Sequence, residues 1–416
     1  MGASFYLPLQ GQSFFGKNSN QDIRLPQAVK ILPQRLPADA IHIGGHELAL
    51  PDAGYAYICS SLSGAAGSEM GVNERGVALA MEAPFSKFKV EAESPRGADY
   101  VQAALMGASS AEAAKDMLIA LTERYGQAGS GRGPGGRSAS ASYIVSGFDG
   151  AYLVETAARR WAWKALDEGA AFSNSYTMDI DYKRVDAVTR KSIALVNERM
   201  ACLDEADAGR VADKESWKIY AEDRLMARLG SGAANRRALG SLLGAAAESG
   251  GRQAAFALLR VHAAHDPESP SRPRNICRHE SLLGAKPSTS SMLIERKQGE
   301  NRFVAWFTGA AYPCANVFKP ILFDGSFKPL WTAYDYHGPD TEDGERYWRE
   351  RLEANRALRR SPAKADENAA ALSAAQAALS TIVDGLVGEP APYAESALTK
   401  AREQTLAIVS SWDIRR

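Results

Sequence analysis

Short runs in which apolar and polar residues alternate dominate the first hundred residues, and this pattern predicts β-strands. The runs lie at Ser4–Leu9, Gln12–Lys17 and Tyr55–Ser61, and two further runs make up Glu69–Glu82. Gln10-Gly11 separates the first two runs and predicts a tight hairpin turn, while Asn73–Gly76 predicts a turn within Glu69–Glu82. The chain is therefore expected to begin with antiparallel hairpins.

Later segments combine helical spacing with further strand-like runs. Helical spacing predicts helices at Asp99–Met106, Ser110–Tyr125, Leu239–Ala247 and Gln253–Ala264, and a polar helical stretch from Asp181 to about Met226. Strands are predicted at Tyr143–Ser146, Ala151–Thr156, Trp161–Ala165, Ser291–Glu295 and Phe303–Thr308. Asp266–Arg274 contains three prolines and predicts a loop. Hairpins followed by helices, rather than alternating βαβ units, indicate an antiparallel α+β fold.

The composition changes after Asp335, where the chain becomes charged and rich in alanine. Helices are predicted there at Glu342–Arg360, Ala363–Val387 and Glu395–Ser411. We place a domain boundary at this point, with a core domain at 1–334 and a helical C-terminal extension at 335–416. The extension is expected to pack on the core or on a second copy of the chain, and in the second case the protein would be a homo-oligomer.

Charge and composition exclude several kinds of partner. Lys plus Arg number 49 and Asp plus Glu number 49, so the formal net charge is zero. A balanced charge gives the molecule no overall positive charge that would attract a nucleic acid or an anionic membrane. No run reaches about 18 uninterrupted apolar residues, so no transmembrane span is predicted. The N-terminus lacks the features of a signal peptide, and we expect a cytoplasmic protein.

Several common catalytic and metal-binding motifs are absent from the sequence. It has no Gly-x-Ser-x-Gly and no His-Glu-x-x-His, and its Gly- and Ser-rich segment 126–142 lacks the Gly-Lys-Ser/Thr of a P-loop. The four cysteines, Cys59, Cys202, Cys277 and Cys314, lack the paired spacing of a zinc site. Cys277 and His279 look like a Cys/His pair, but residues two apart on a strand lie about 6–7 Å apart, so core packing of Cys277 is the preferred interpretation. We predict no metal and no cofactor.

The most specific pattern is a series of short motifs in a fixed order. Ser4-Phe5 begins a strand that is followed by Phe-Phe-Gly-Lys-Asn-Ser-Asn at 14–20. Five more blocks follow, at Glu69–Val77, Phe172–Tyr176, Ile276–His279, Trp306–Gly309 and Pro313–Pro320. In these six motifs the sequence resembles the secernins and the related bacterial dipeptidases, a branch of the N-terminal nucleophile hydrolases. The C-terminal region, with Tyr347-Trp348-Arg349 opening a long helix, is similar to secernins more weakly.

This resemblance implies both a fold and a mechanism. The fold would be an αββα sandwich, with two antiparallel sheets between helical layers. In the mechanism, the first residue of the mature chain attacks an amide carbonyl with its side chain. The free α-amine of that residue, with an unperturbed pKa of about 7.7–8.0, accepts the proton. Such an enzyme needs neither a histidine nor a cofactor.

At the nucleophile position, alignment on Phe5 places Ser4 where the family usually has cysteine. Serine serves as the N-terminal nucleophile elsewhere in the superfamily, although a hydroxyl needs more activation than a thiol. Ser4 therefore indicates a natural serine variant, an engineered Cys→Ser substitution, or a chain that has lost activity. Activity would require removal of Met1–Ala3, and we expect self-cleavage through attack of the Ser4 hydroxyl on the Ala3 carbonyl.

The resemblance also implies supporting roles for other residues. Asn174 matches the asparagine that donates to the oxyanion in related hydrolases, and a strand-end turn residue is the alternative. Lys17 lies where related hydrolases place a cation that keeps the α-amine neutral, and a solvated lysine is the alternative. Asn20 replaces an aspartate and would accept a hydrogen bond from the α-amine.

Two further residues are candidates for substrate binding. Arg278 stands where the family has methionine and would bind a substrate carboxylate, with an ordinary exposed arginine as the alternative. Glu82 would either bind a substrate amine or have a purely structural role. Met81 replaces the family's asparagine, so a second oxyanion donor is missing from the pattern.

The function expected from these residues is hydrolysis of a small peptide or acyl-amide substrate by Ser4. A catalytically silent scaffold or binding protein on the same fold is the alternative from a different class. An acyltransferase that shares the acyl-enzyme intermediate is a third reading.

Overall fold

The computed structural model describes residues 2–34, 41–43, 45–48, 54–90, 93–129, 140–193, 216–280, 286–331, 342–359, 362–390 and 392–414. Strands and helices are numbered below in chain order. Within these ranges the protein consists of two large antiparallel sheets, helices on their outer faces, and two small hairpins. The predicted α+β class is confirmed.

The first sheet contains the N-terminal hairpin at its centre. Its strands are β1 Gly2–Leu9, β2 Gln12–Asn20, β12 Ala170–Ser173, β16 Ser288–Lys297, β17 Phe303–Phe307, β18 Lys319–Phe323 and β19 Phe327–Pro329. They lie in the order β12-β1-β2-β16-β17-β18-β19. The predicted turn at Gln10-Gly11 is confirmed, and Gly11 adopts a φ of 77°, which a residue without Cβ accepts readily.

The second sheet is built mainly from successive hairpins. Its strands are β3 Gln27–Leu32, β6 Tyr57–Leu62, β7 Met70–Asn73, β8 Ala78–Glu82, β9 Ser142–Ser146, β10 Ala151–Ala157, β11 Arg160–Ala165 and β13 Arg184–Val185. Their order is β13-β11-β10-β9-β8-β7-β6-β3. The Asn73 side chain closes the β7–β8 turn by accepting from the backbone N–H groups of Arg75 and Val77. The strand-turn-strand prediction for Glu69–Glu82 is therefore confirmed.

Helices cover the outer faces of both sheets. α1 Gly97–Gly107 and α2 Ala111–Tyr125 bury apolar side chains against the second sheet. α3 Trp217–Ala221, α4 Arg224–Leu229, α5 Gly232–Ser249 and α6 Gly251–Arg260 follow in the chain, and α5 and α6 contact the first sheet. The result is the αββα sandwich that the resemblance implied.

Polar contacts as well as apolar packing join the two sheets. Arg296 of β16 is fully buried and donates to the Gly76 and Ser146 carbonyls of the second sheet. Burial lowers the pKa of this guanidinium to about 10. The hydroxyl of Ser60 also reaches Ser290 across the interface at 2.9 Å. Polar side chains are thus part of the inter-sheet layer, and the candidate site lies in the same layer.

Two of the predictions from local pattern are wrong. Asp266–Arg274 is not a plain loop, because Ala264–Asp266 and Ser269–Arg274 pair as the hairpin β14–β15 despite the prolines. Prolines are tolerated there because this two-stranded hairpin lies outside both large sheets, where each strand has a free edge. The stretch from Asp181 to Met226 is not helical throughout, since it contains β13 at the edge of the second sheet.

The C-terminal extension forms α7 Glu342–Arg359, α8 Pro362–Val387 and α9 Glu395–Ile414, close to the predicted bounds. The buried apolar side chains of α8 and α9 belong to the same hydrophobic cluster as the first sheet, whereas Trp348 and Leu352 of α7 pack against Ala311 and Tyr312. Gln376 of α8 also bonds both the N–H and the C=O of Phe318. One segment, Glu367–Val387, has the length and a hydropathy of 1.4 that would allow it to cross a membrane, judged by composition alone.

Candidate active site

The N-terminal hairpin places Ser4 and Lys17 side by side. Ser4 of β1 pairs with Lys17 of β2, and on its other side with Phe172 of β12. Strand alternation directs Ser4 and Lys17 to the same face of the sheet, toward the second sheet. Both side chains are 0% exposed, so the alternative of a solvated Lys17 is wrong.

Glu82, the last residue of β8, completes the cluster from the opposite sheet. Its Oε1 accepts a hydrogen bond from the Ser4 hydroxyl at 2.9 Å and pairs with the Lys17 Nζ at 2.7 Å. Glu82 is also 0% exposed. Its second oxygen, Oε2, is buried and has no hydrogen-bond partner in the described structure. A buried carboxylate oxygen without a donor costs about 1–3 kcal/mol, so a further donor to Oε2 would stabilise the site.

Asn174 follows β12 directly and lies at the N-terminal end of the hairpin. Its Oδ1 accepts from the Ala83 N–H at 3.1 Å and from the Gly2 N–H at 3.4 Å. Ala83 follows Glu82, so this contact ties Asn174 to the end of β8. Because the amide oxygen is used in this way, the Nδ2 group is the donor that Asn174 can offer to a ligand.

The residues ahead of Ser4 occupy the space between these groups. Gly2 and Ala3 continue β1, and the Gly2 carbonyl accepts from the Ser173 hydroxyl at 2.7 Å. A Cβ at position 2 would lie 2.6 Å from the Lys17 Nζ and 1.9 Å from the Asn18 carbonyl oxygen. The segment thus passes directly beside Lys17 and Asn174, where only a residue without a side chain fits.

Two predicted site residues lie elsewhere. Alternation along β2 turns Asn20 to the face opposite Lys17, and its Oδ1 accepts from the Ser288 hydroxyl at 2.8 Å. The Arg278 backbone N–H donates to the same hydroxyl at 3.0 Å. Arg278 is half-buried rather than exposed, and burial lowers its pKa. The structure therefore brings Ser4, Lys17, Glu82 and Asn174 together, and it does not bring Asn20 or Arg278 to them.

A second cluster of reactive side chains was missed by the sequence analysis. His262, Cys277, His279 and Cys314, here named the Cys/His cluster, place one ligand atom each within 4.8 Å of one another. Cys277 was expected to pack alone in the core, and it is indeed buried. Hydrogen bonds from its neighbours, that of Cys277 first, lower the pKa of the Cys314 thiol. The only sequence signal was Cys277-x-His279, because Cys314 lies 35 residues beyond His279.

Comparisons with known proteins add the following. No family model matches the chain. A variant of the conjugated bile acid hydrolase from Clostridium perfringens is 12% identical, covering 73% of this chain and 92% of that chain with a TM-score of 0.40. Another variant of that enzyme is 12% identical, covering 77% and 92% with a TM-score of 0.43. An N-acylethanolamine-hydrolyzing acid amidase ortholog from Caenorhabditis elegans is 11% identical, covering 50% and 84% with a TM-score of 0.28.

Proposed function

We propose that this protein hydrolyses amide bonds with Ser4 as its nucleophile, after residues 1–3 have been removed. The observation that carries the proposal is the buried chain of groups from the Ser4 hydroxyl through Glu82 to Lys17. A hydroxyl that donates to a carboxylate has an acceptor for its proton when the oxygen attacks a carbonyl. Lys17 neutralises the charge of that carboxylate, and all three side chains are buried while residues 2 and 3 are in place.

The first reaction would be self-cleavage of the precursor. The Ser4 oxygen attacks the Ala3 carbonyl carbon, and Glu82 accepts the hydroxyl proton. The C–N bond between Ala3 and Ser4 breaks, the proton passes to the departing nitrogen, and an ester joins Ala3 to the Ser4 oxygen. Water then hydrolyses that ester and releases residues 1–3. The new α-amine can donate to Glu82 Oε2, the buried oxygen that has no partner before cleavage.

The same atoms would then act on a substrate. Removal of Gly2 and Ala3 leaves a slot beside Lys17 and Asn174, into which a substrate acyl group can enter. The Ser4 oxygen attacks the substrate carbonyl, the α-amine takes the proton, and Asn174 Nδ2 donates to the oxyanion. The leaving amine takes the proton from the α-ammonium, and water hydrolyses the acyl ester. We propose small peptides and acyl-amides as the substrate classes. The narrower proposal is that the enzyme is a dipeptidase similar to the secernins.

One observation favours the second candidate, a catalytically silent binding protein. Gly2 pairs with β2, Ala3 pairs with both β2 and β12, and Ser4 is fully buried. If this arrangement persists in the working protein, no substrate reaches Ser4. The α7–α9 helices would then provide the partner surface.

The test measures the N-terminus and the activity of the same preparation. We expect an intact mass that corresponds to a chain beginning at Ser4, together with hydrolysis of members of a dipeptide and acyl-amide panel. Ser4→Ala should retain residues 1–3 and lose activity. Ser60→Ala, which removes a comparable buried hydroxyl between the sheets, should still begin at Ser4 and should keep its activity. Full activity in Ser4→Ala, or a retained Ala3 in active protein, overturns the proposal.

A further inference from the structure

The Cys/His cluster lies between the helical layer and the end of the first sheet, on the face opposite Glu82. His262 follows α6, Cys277 and His279 lie between β15 and β16, and Cys314 lies in the 3-10 turn Pro313–Ala315. The His279 Nε2 is 3.1 Å from the Cys314 Sγ and 3.7 Å from the Cys277 Sγ. The rings of His262 and His279 stand edge-on with centroids 4.7 Å apart. Three separate chain segments thus meet at one point.

These spacings agree with the edges of a metal coordination tetrahedron. Zn–S bonds of about 2.3 Å and Zn–N bonds of about 2.0–2.1 Å place neighbouring ligand atoms about 3.3–3.8 Å apart. The two N–S distances of 3.1 and 3.7 Å lie within or close to that range, and all four ligand atoms lie within 4.8 Å of one another. We propose that Cys277, Cys314, His262 and His279 form a structural Cys2His2 site for a divalent zinc-like ion.

The donor set favours a metal over the other chemistry open to two thiols. A disulfide between Cys277 and Cys314 would leave both imidazoles without a role. Two thiolates and two imidazoles are, in contrast, a complete ligand set of the kind that selects Zn²⁺. In the bound state both cysteines are thiolates, with any proton they carried passed to water, and the ion and the two thiolates together carry no net charge.

The surrounding contacts hold the ligand-bearing segments in position. Arg260 donates to the Pro313 and Asn316 carbonyls and so fixes the turn that carries Cys314. The Val261 carbonyl accepts from the Cys277 N–H at 3.0 Å, which ties the His262 segment to the Cys277 segment. Such preorganisation of the backbone is what a closed structural site requires.

The site has a route by which an ion enters, and a role in the fold. His262 is exposed, whereas Cys277 is fully buried, so the cluster reaches from the surface into the core. Glu280, next to His279, pairs with Arg356 of α7 at 2.7 Å. A bound ion would therefore cross-link the α6 end, the β15–β16 connection and the Cys314 turn beneath the C-terminal helices.

The experiment uses full-length reduced protein, stripped with a chelator and titrated with Zn²⁺ or Co²⁺. We expect about one ion per chain, and with Co²⁺ the visible absorption and thiolate-to-metal charge transfer of a tetrahedral site. Cys314→Ser should weaken binding by more than about 100-fold and remove the charge-transfer contribution of one thiolate. Because Cys277→Ser and Cys314→Ser alter buried or half-buried positions, His262→Ala at the exposed ligand provides a variant that tests binding without altering the core.

Matched controls separate the site from other thiols and imidazoles. Cys59→Ser, a buried cysteine outside the cluster, and His42→Ala, an exposed histidine, should bind Co²⁺ like the parent. Ser4→Ala should also bind normally, so this test is independent of the amidase proposal. Absence of the thiolate–cobalt spectrum in reduced parent protein overturns the proposal. A Cys277–Cys314 disulfide in freshly purified protein, or unchanged binding in Cys314→Ser and His262→Ala, also overturns it.

Discussion

Lys17 and Glu82 form an ion pair across the two sheets, with 2.7 Å between Nζ and Oε1 and no exposure of either side chain. Removing one charge from a buried pair is more harmful than replacing both, because the remaining charge has no partner. We expect Lys17→Met to lower the free energy of unfolding by about 3–5 kcal/mol. The double variant with Glu82→Leu should lose less than the sum of the two single changes.

Urea unfolding measures both effects. Arg24→Ala serves as the control, because Arg24 pairs with Asp22 at the surface, and we expect little change from it. If the loss of unfolding free energy in the double variant equalled the sum of the losses in the two single variants, Lys17 and Glu82 would not be acting as a pair.

Asn174 is expected to act through its amide donor. Asn174→Ala should reduce kcat by about 100- to 1000-fold, since one oxyanion donor contributes about 2.7–4 kcal/mol to the transition state. Asn174→Asp retains an oxygen to accept from the Ala83 N–H but removes the donor. It should therefore keep the melting temperature near that of the parent and still lose turnover. Full turnover in Asn174→Asp would argue against the oxyanion role.

Gly16 and Phe5 are paired on β2 and β1, and the Phe5 ring covers the glycine. A Cβ at position 16 would lie 2.3 Å from the ring. Gly16→Ala should destabilise the protein by about 1–3 kcal/mol, because the enclosed ring cannot move away without strain. Gly244→Ala is the matched control, since open space surrounds that helical position and alanine favours helix by up to about 1 kcal/mol. In thermal denaturation, the melting temperature should fall in Gly16→Ala and rise in Gly244→Ala.

Glu155 makes stability depend on pH. Burial is the largest cause that raises its pKa from 4.5 to about 7, although the Thr177 and Met178 N–H groups oppose the shift. The folded protein therefore keeps a proton that the unfolded chain releases between these two values. Stability should fall as the pH rises through this window, by about 3 kcal/mol in total.

The check compares melting temperatures at pH 5 and pH 8. Glu155→Gln should remove the part of the fall in melting temperature between pH 5 and pH 8 that Glu155 causes, because glutamine has no proton to release. Glu123→Gln, which alters an exposed carboxylate that accepts from Trp161, should leave the loss in place. An unchanged pH dependence in Glu155→Gln would refute the assignment.

The elements that sequence analysis predicted well are those with a strong local signal. The helix predicted at Ser110–Tyr125 is found at Ala111–Tyr125, where Ser110 caps it by accepting from the Ala113 N–H. Gly250, with a φ of 65°, separates α5 from α6, in agreement with the two helices predicted there. By contrast, β3, β18 and β19 were not predicted. β3 pairs with β6, which begins 25 residues after β3 ends, so no hairpin turn marks it. β18 and β19 form a local hairpin around Gly325, and the glycine there was the turn signal that could have found them.

Local patterns in the sequence were enough to predict the N-terminal hairpin and the α+β class, because alternation and turns are local properties. Ser4, Lys17 and Asn174 were singled out by the resemblance of the ordered motifs to a known family. Only the tertiary structure shows that Glu82 accepts a hydrogen bond from the Ser4 hydroxyl and that Asn20 faces away from Lys17. It also shows that Cys277 and Cys314 lie beside two histidines. The physical reason is that side-chain partners across sheets are set by strand register and sheet stacking. These depend on contacts between residues that lie tens to hundreds of positions apart, which no local pattern records.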